Sequence, residues 1–205
     1  MKYPIGIQDF EKIRRDGYSY VDKTALIYKL VTEGSYYFLS RPRRFGKSLL
    51  VSTLSAYFEG KRELFDSLAI ATLEKEWVKR PVLHLDLNTA DYRQPGSLVS
   101  LLNNYLLKWE RLYGKGEGED TLPLRFLGVI ERAAEQTGHR VAILVDEYDK
   151  PLLQTLDNAE LQQEYRNTMK AFYSVCKTQD RYIKLALFTG VTKFSKVSVF
   201  SDLNN

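Results

Sequence analysis

The chain has 205 residues, with 30 Lys+Arg against 26 Asp+Glu, giving a formal net charge of +4. This length suits one domain, or one domain with an appendage, and 44% apolar against 27% charged residues excludes a disordered or fibrous chain. The single cysteine, Cys176, cannot form an internal disulfide, and apolar runs such as Val141 to Val145 are too short to cross a bilayer. The opening MKYPIGIQDFEK lacks the apolar stretch of a signal peptide, so a cytoplasmic protein with no membrane contact is expected.

Residues 1–34 form an N-terminal segment ahead of a core that spans 35–205. Within it Asp22 is suited to cap a helix running from Lys23 to Leu30; the competing reading places Asp22 or Thr24 beside a nucleotide base. The first strand candidate is Tyr36 to Leu39. It leads through Arg41-Pro42-Arg43-Arg44-Phe45 into Gly46-Lys47-Ser48, the last three positions of a phosphate loop, G-x-x-x-x-G-K-[ST]. In that reading Gly46 admits the backbone close to phosphate, and the N–H groups from Arg43 to Leu49 line the anion. Lys47 reaches the β- and γ-phosphates, and the Ser48 hydroxyl ligates Mg2+. Arg41 stands where the motif has its first glycine. Arg41, Arg43 and Arg44 are candidates for phosphate, for a neighbouring subunit's nucleotide or for nucleic acid, the plain alternative being a solvated basic loop. Lys193 and Lys196 extend this basic rim or are ordinary surface charges.

An amphipathic stripe of Leu50, Leu54 and Phe58 predicts a helix directly after the loop, and Val82 to Leu87 is a second strand candidate. The link from Asn88 to Arg140 is longer than one crossover helix needs. It carries two helical patterns, Leu98 to Trp109 and Leu124 to Ala134, joined by a glycine-rich polar stretch, Gly114 to Asp120, that reads as a mobile surface loop. Ala142 to Val145 is a continuous apolar run, as in a strand buried on both faces, and it ends in Asp146-Glu147. Asp146 can hold Mg2+ through water opposite Ser48, and Glu147 can polarise the water that attacks the γ-phosphate. The plain alternative is a buried strand ending in solvated acids.

Leu161 to Cys176 carries another helical stripe, and Ile183 to Phe188 is the fourth strand candidate. Thr189, at its end, suits a polar residue beside the γ-phosphate, or simply a Thr-Gly turn. His84 and His139 have no second metal-type ligand at suitable spacing, so no zinc site is supported. Most Tyr and Phe side chains occupy periodic apolar positions and read as core, in preference to a stacking surface for single-stranded nucleic acid. The alternation of strands and helices predicts an α/β fold with three α/β/α layers, a mainly parallel sheet and right-handed crossovers.

Four blocks, YVDKT at Tyr20 to Thr24, RPRRFGKSLL at Arg41 to Leu50, LVDEYDKPL at Leu144 to Leu152 and FTGVTKFSKVSVFSDLNN at Phe188 to Asn205, resemble the bacterial AAA-ATPase-like family. In that family Arg41 is a regular replacement for the first loop glycine. The resemblance implies a P-loop ATPase with Lys47 and Ser48 on phosphate and magnesium and Asp146 and Glu147 as the acid pair. It also implies a restriction-endonuclease-like domain following the ATPase domain, so a fragment lacking its lid and C-terminal domain is expected. Expected ligands are ATP and Mg2+; ATP is preferred to GTP on the resemblance, and no N-K-x-D element appears. Nucleic acid and a second copy that supplies an arginine in trans are candidate partners. Three functions follow: slow ATP hydrolysis serving a DNA-processing domain, a nucleotide-gated switch without turnover, or an interaction domain with an inert loop.

Overall fold

The computed structural model describes residues 2–192. Four strands, β1 (Tyr36–Ser40), β2 (Val82–Asp86), β3 (Val141–Asp146) and β4 (Ile183–Gly190), form one sheet in the order β1-β4-β3-β2, with every neighbouring pair parallel. The helices among the described residues are α1 (Phe10–Arg15), α2 (Thr24–Glu33), α3 (Lys47–Phe58), α4 (Ile70–Leu73), α5 (Ser97–Tyr113), α6 (Leu122–Thr137), α7 (Lys150–Leu153) and α8 (Ala159–Thr178).

Side chains alternate across the two sheet faces, and each face has its own core. On β3, Val141, Ile143 and Val145 join Leu102, Leu106, Phe126 and Phe172 from α5, α6 and α8. Ala142 and Leu144 point the other way, with Leu185 and Leu187 of β4, onto Phe10, Ile27, Val51 and Leu54 from α1, α2 and α3. A strand with helices on both faces has no solvated side, which is why β3 is buried at every position. The fold is therefore α/β with a four-strand parallel sheet between two helical layers. Among the described residues no helix is long and apolar enough to cross a membrane. Cys176 is fully buried at the end of the α8 stripe, and burial pushes its thiol pKa up to about 12.

The long link between β2 and β3 holds α5 and α6, tied by a bidentate Arg125–Glu110 pair at 2.7 and 2.8 Å whose side chains are nearly buried. The glycine-rich loop between them departs from the expectation of a mobile segment. Glu119 accepts bonds from the Gly116 N–H and from both terminal nitrogens of Arg132, so the loop is anchored to α6. Gly128 makes room for this contact, because a Cβ there would stand 1.8 Å from Glu119 Oε1.

Asp22 anchors the start of α2. Its Oδ1 accepts from the Thr24 N–H and hydroxyl at 2.8 and 2.7 Å, and Oδ2 accepts from the Ala69 N–H at 2.7 Å. The helix starts one residue later than expected, with Lys23 at its N-cap position, so Asp22 steadies the first helical residue from just outside and ties α2 to the start of α4. The segment from 193 onward, including Lys193, Lys196 and most of the block from Phe188 to Asn205, lies outside the described residues.

Candidate nucleotide site

The C-terminal ends of β1, β3 and β4 converge on the N-terminus of α3. The interposed position of β4 between β1 and β3 comes directly from the strand order. Parallel strands of this kind place their ligand crevice at the carboxyl edge of the sheet. Gly46 caps α3 with φ of 75°, a left-handed conformation that costs glycine nothing, and Arg44 just before it is also left-handed at 67°. The turn aims the first amides of α3 toward the crevice, where the helix end favours an anion.

Lys47 is buried, with its side chain 3% exposed. It donates to the Arg41 carbonyl at 3.0 Å and the Pro42 carbonyl at 3.3 Å, and pairs with Glu147 Oε1 at 3.0 Å. Lys47 at the start of α3 and Glu147, just after β3, about a hundred residues apart in sequence by their numbering, are thus in direct contact. Glu147 has φ of 54°, a strained value for a residue with a side chain. Its neighbours hold that shape: the Glu147 N–H donates to Thr189 Oγ1 at 3.3 Å, the Tyr148 N–H to the Thr189 carbonyl at 2.8 Å, and the Lys150 N–H to the Glu147 carbonyl at 3.0 Å.

Thr189 is fully buried, and its hydroxyl donates to Asp146 Oδ1. It stands behind the acid pair and does not line the crevice, so its contact with the site runs through Asp146 and Glu147.

These residues open onto a cleft of about 1480 Å³, lined near the loop by Arg43, Arg44, Gly46, Lys47, Ser48 and Leu49, and on the sheet side by Asp146 and Glu147. Phe45 is 65% exposed and points away, leaving only its backbone for this site. The sequence motifs did not indicate how far the cleft extends. It runs along α3 past Ser52 and Ser55, under the N-terminal residues Pro4 to Asp9, to Lys61, which sits between Glu11 at 2.6 Å and Glu59 at 2.7 Å. His84 and Asp86 line its floor, with Asp86 paired to Asp146 across the β2–β3 ladder.

Among the described residues no group of three or more His, Cys, Asp or Glu side chains forms a metal cage. Mg2+ is usually held by one or two carboxylates together with substrate phosphates and waters. The oxygen donors Ser48 and Asp146 share the cleft and fit such an ion.

A family model described as "Predicted AAA-ATPase" matches residues 4–200. A protein of Azotobacter chroococcum mcd 1, described as "Uncharacterized protein in vnfD 5'region", is 43% identical over 206 residues, which cover 100% of this chain and 40% of that protein. The chain therefore spans less than half the length of that relative. No solved structure matches it. With Lys47 and the strand-end acid Glu147 in contact in one cleft, and a family match across nearly all of its length, the chain belongs to the AAA-ATPase-like family.

Proposed function

We propose that this chain binds Mg-ATP in the cleft at the N-terminus of α3 and hydrolyses it slowly. The observation that carries this reading is the contact of Lys47 with Glu147 at 3.0 Å, with Asp146 beside them. Lys47, pinned now by two carbonyls and a carboxylate, would transfer to the phosphate oxygens. The amides at the start of α3 and the Arg43 and Arg44 side chains would share the remaining charge. Glu147, once released, would orient a water and take its proton as the γ-phosphate is attacked. Thr189 acts through the acids: its hydroxyl fixes Asp146, and its Oγ1 and carbonyl hold the backbone of Glu147 and Tyr148. Ser48 and Asp146 would hold Mg2+, which when bound neutralises charge on the β- and γ-oxygens.

Arg43 and Arg44 both lie on the loop itself, so an arginine from a second copy acting in trans remains part of this proposal. So does service to a DNA-processing, nuclease-like domain, which rests on the family resemblance and on the greater length of the Azotobacter relative.

A second reading, a nucleotide-gated switch without appreciable turnover, is favoured by the same ion pair. Glu147 occupies the phosphate-binding lysine in the resting protein, so nucleotide binding and a change at the acid turn are one event.

Thermal unfolding with and without Mg-ATP, in wild type and Lys47→Ala, tests binding. Saturation at 100 Kd adds about 2.7 kcal/mol, and the shift disappears in the variant. Phosphate release then separates the readings. A hydrolase turns over and loses that turnover in Glu147→Gln, whereas a switch shows none in wild type. No thermal shift in wild type refutes both.

A further inference from the structure

Asp149 is a fully buried acid with no part in the chemistry proposed above. It stands at the N-cap position of α7, yet its carboxylate makes no capping bond to that helix. Oδ2 instead reaches across to the chain leaving β4, accepting from the Val191 N–H at 2.9 Å, the Thr192 N–H at 2.7 Å and the Thr192 hydroxyl at 2.8 Å. Oδ1 is buried without a hydrogen-bond partner among the described residues. Gly190 allows the approach, because a Cβ there would stand 2.7 Å from both Asp149 Oδ1 and Tyr148 Cε1.

The gripped segment is also bonded to the start of the phosphate loop. The Arg41 N–H donates to the Gly190 carbonyl at 3.1 Å, and the Ser40 hydroxyl to the Val191 carbonyl at 3.0 Å. One buried carboxylate therefore completes a bridge between the Ser40–Arg41 end of β1, the acid turn after β3 and the segment after β4. Three donors on one oxygen of a buried carboxylate make this a stiff connection.

We infer that Asp149 is a positioning residue that couples the acid turn to the segment Gly190–Thr192, so that exchange of Lys47 from Glu147 to a phosphate is felt where the chain leaves the sheet. The inference rests on the nucleotide-binding reading above. Burial alone, with apolar packing, would need no carboxylate here. Three aligned donors from the far segment are what a coupling element requires.

Hydrogen–deuterium exchange of wild type, Asp149→Asn, Asp149→Ala and Thr192→Val, each with and without Mg2+ and a non-hydrolysable ATP analogue, tests the coupling. Steady-state kcat and KM are measured alongside. In wild type the analogue slows exchange at both 146–150 and 190–192. In Asp149→Ala the acid turn still responds and 190–192 does not, while kcat falls by about 10- to 100-fold through misplacement of Glu147 and KM stays within about threefold. Asp149→Asn, which keeps an acceptor oxygen, restores part of both effects. If Asp149→Ala does not fold, Thr192→Val carries the test, since it removes one donor of three and is expected to weaken the response at 190–192 without removing it. A response at 190–192 that persists unchanged in these variants overturns the coupling and leaves nucleotide binding standing. No response in wild type at either segment overturns the nucleotide reading and the coupling with it.

Discussion

Glu147→Gln keeps the shape of the side chain and removes the charge that holds Lys47. Two opposite effects follow. In the nucleotide-free protein Lys47 is left with the carbonyls of Arg41 and Pro42, at 3.0 and 3.3 Å, on a side chain that is 3% exposed. Removing one partner of a buried pair costs about 3–5 kcal/mol. The two carbonyls and the incoming amide oxygen offset part of this, leaving about 1–2 kcal/mol. For a chain of this size that lowers Tm by about 2–8 °C. Affinity for a triphosphate moves the other way, because wild type must break the pair before Lys47 can serve phosphate. The same 1–2 kcal/mol, recovered on binding, tightens Kd by about 5- to 30-fold. Differential scanning calorimetry of the free protein and titration with a fluorescent ATP analogue measure the two quantities on one sample. A variant with unchanged Tm and unchanged or weaker nucleotide affinity would refute the idea that Glu147 restrains Lys47.

Two further outcomes rest on contacts elsewhere in the fold. Gly190→Ala places a methyl group 2.7 Å from Asp149 Oδ1 and Tyr148 Cε1, and overpacking of this kind costs about 1–3 kcal/mol; chemical denaturation should show it, and a neutral result would mean that the acid turn and the β4 exit move apart freely. Arg125, bonded to Glu110, holds the Glu110 pKa below its ordinary value of 4.5. A depressed carboxylate contributes stability that is complete above 4.5 and lost as pH falls toward the folded-state value, since the unfolded chain takes up its proton first. Glu110→Gln is therefore expected to flatten the fall of Tm with pH below about 4.5, and an unchanged slope would contradict the assignment.

The centre of the sheet was legible because β3 and β4 are buried on both faces and read as apolar runs. The first, third and fourth runs continue in the structure by one or two residues, to Ser40, Asp146 and Gly190, while the second ends one residue early, at Asp86. By contrast, α1 buries only Phe10 and Ile13, too few for a period to show, and depends on Asp9 accepting from the Lys12 N–H. The pinned loop at Glu119 depends on Arg132, a contact that composition does not contain. The same distinction runs through the site. Lys47, Ser48, Asp146 and Glu147 stand at strand and helix ends with motif spacing, so their meeting was foreseeable. The Thr189 hydroxyl bonded to Asp146, and Asp149 bonded to Thr192, join segments more than forty positions apart by their numbering, and no local pattern marks them. Asp149 had one faint signal: a third acid so soon after the pair, on a turn that ends in Lys150-Pro151, has no role in a simple strand exit.

Glu147 shows how the fold separates what must be fixed from what must move. A non-glycine residue at φ of 54° costs on the order of 1 kcal/mol or more and persists only where its surroundings over-determine it. Here the backbone is held on both sides, by Thr189 through the amides of Glu147 and Tyr148 and by the Lys150 N–H on the Glu147 carbonyl. None of these bonds involves Lys47. On the proposed reading, withdrawal of Lys47 toward a phosphate would free the carboxylate, whose side chain is already 15% exposed at the cleft, while these backbone bonds pass the change on to Thr189 and the end of β4. On the proposed hydrolase reading, a Glu147 held by its backbone and released at its side chain would meet a water without the reorganisation that a loose loop would require. The turn thus keeps Asp146 on the ladder and presents Glu147, one residue later, to the same cleft.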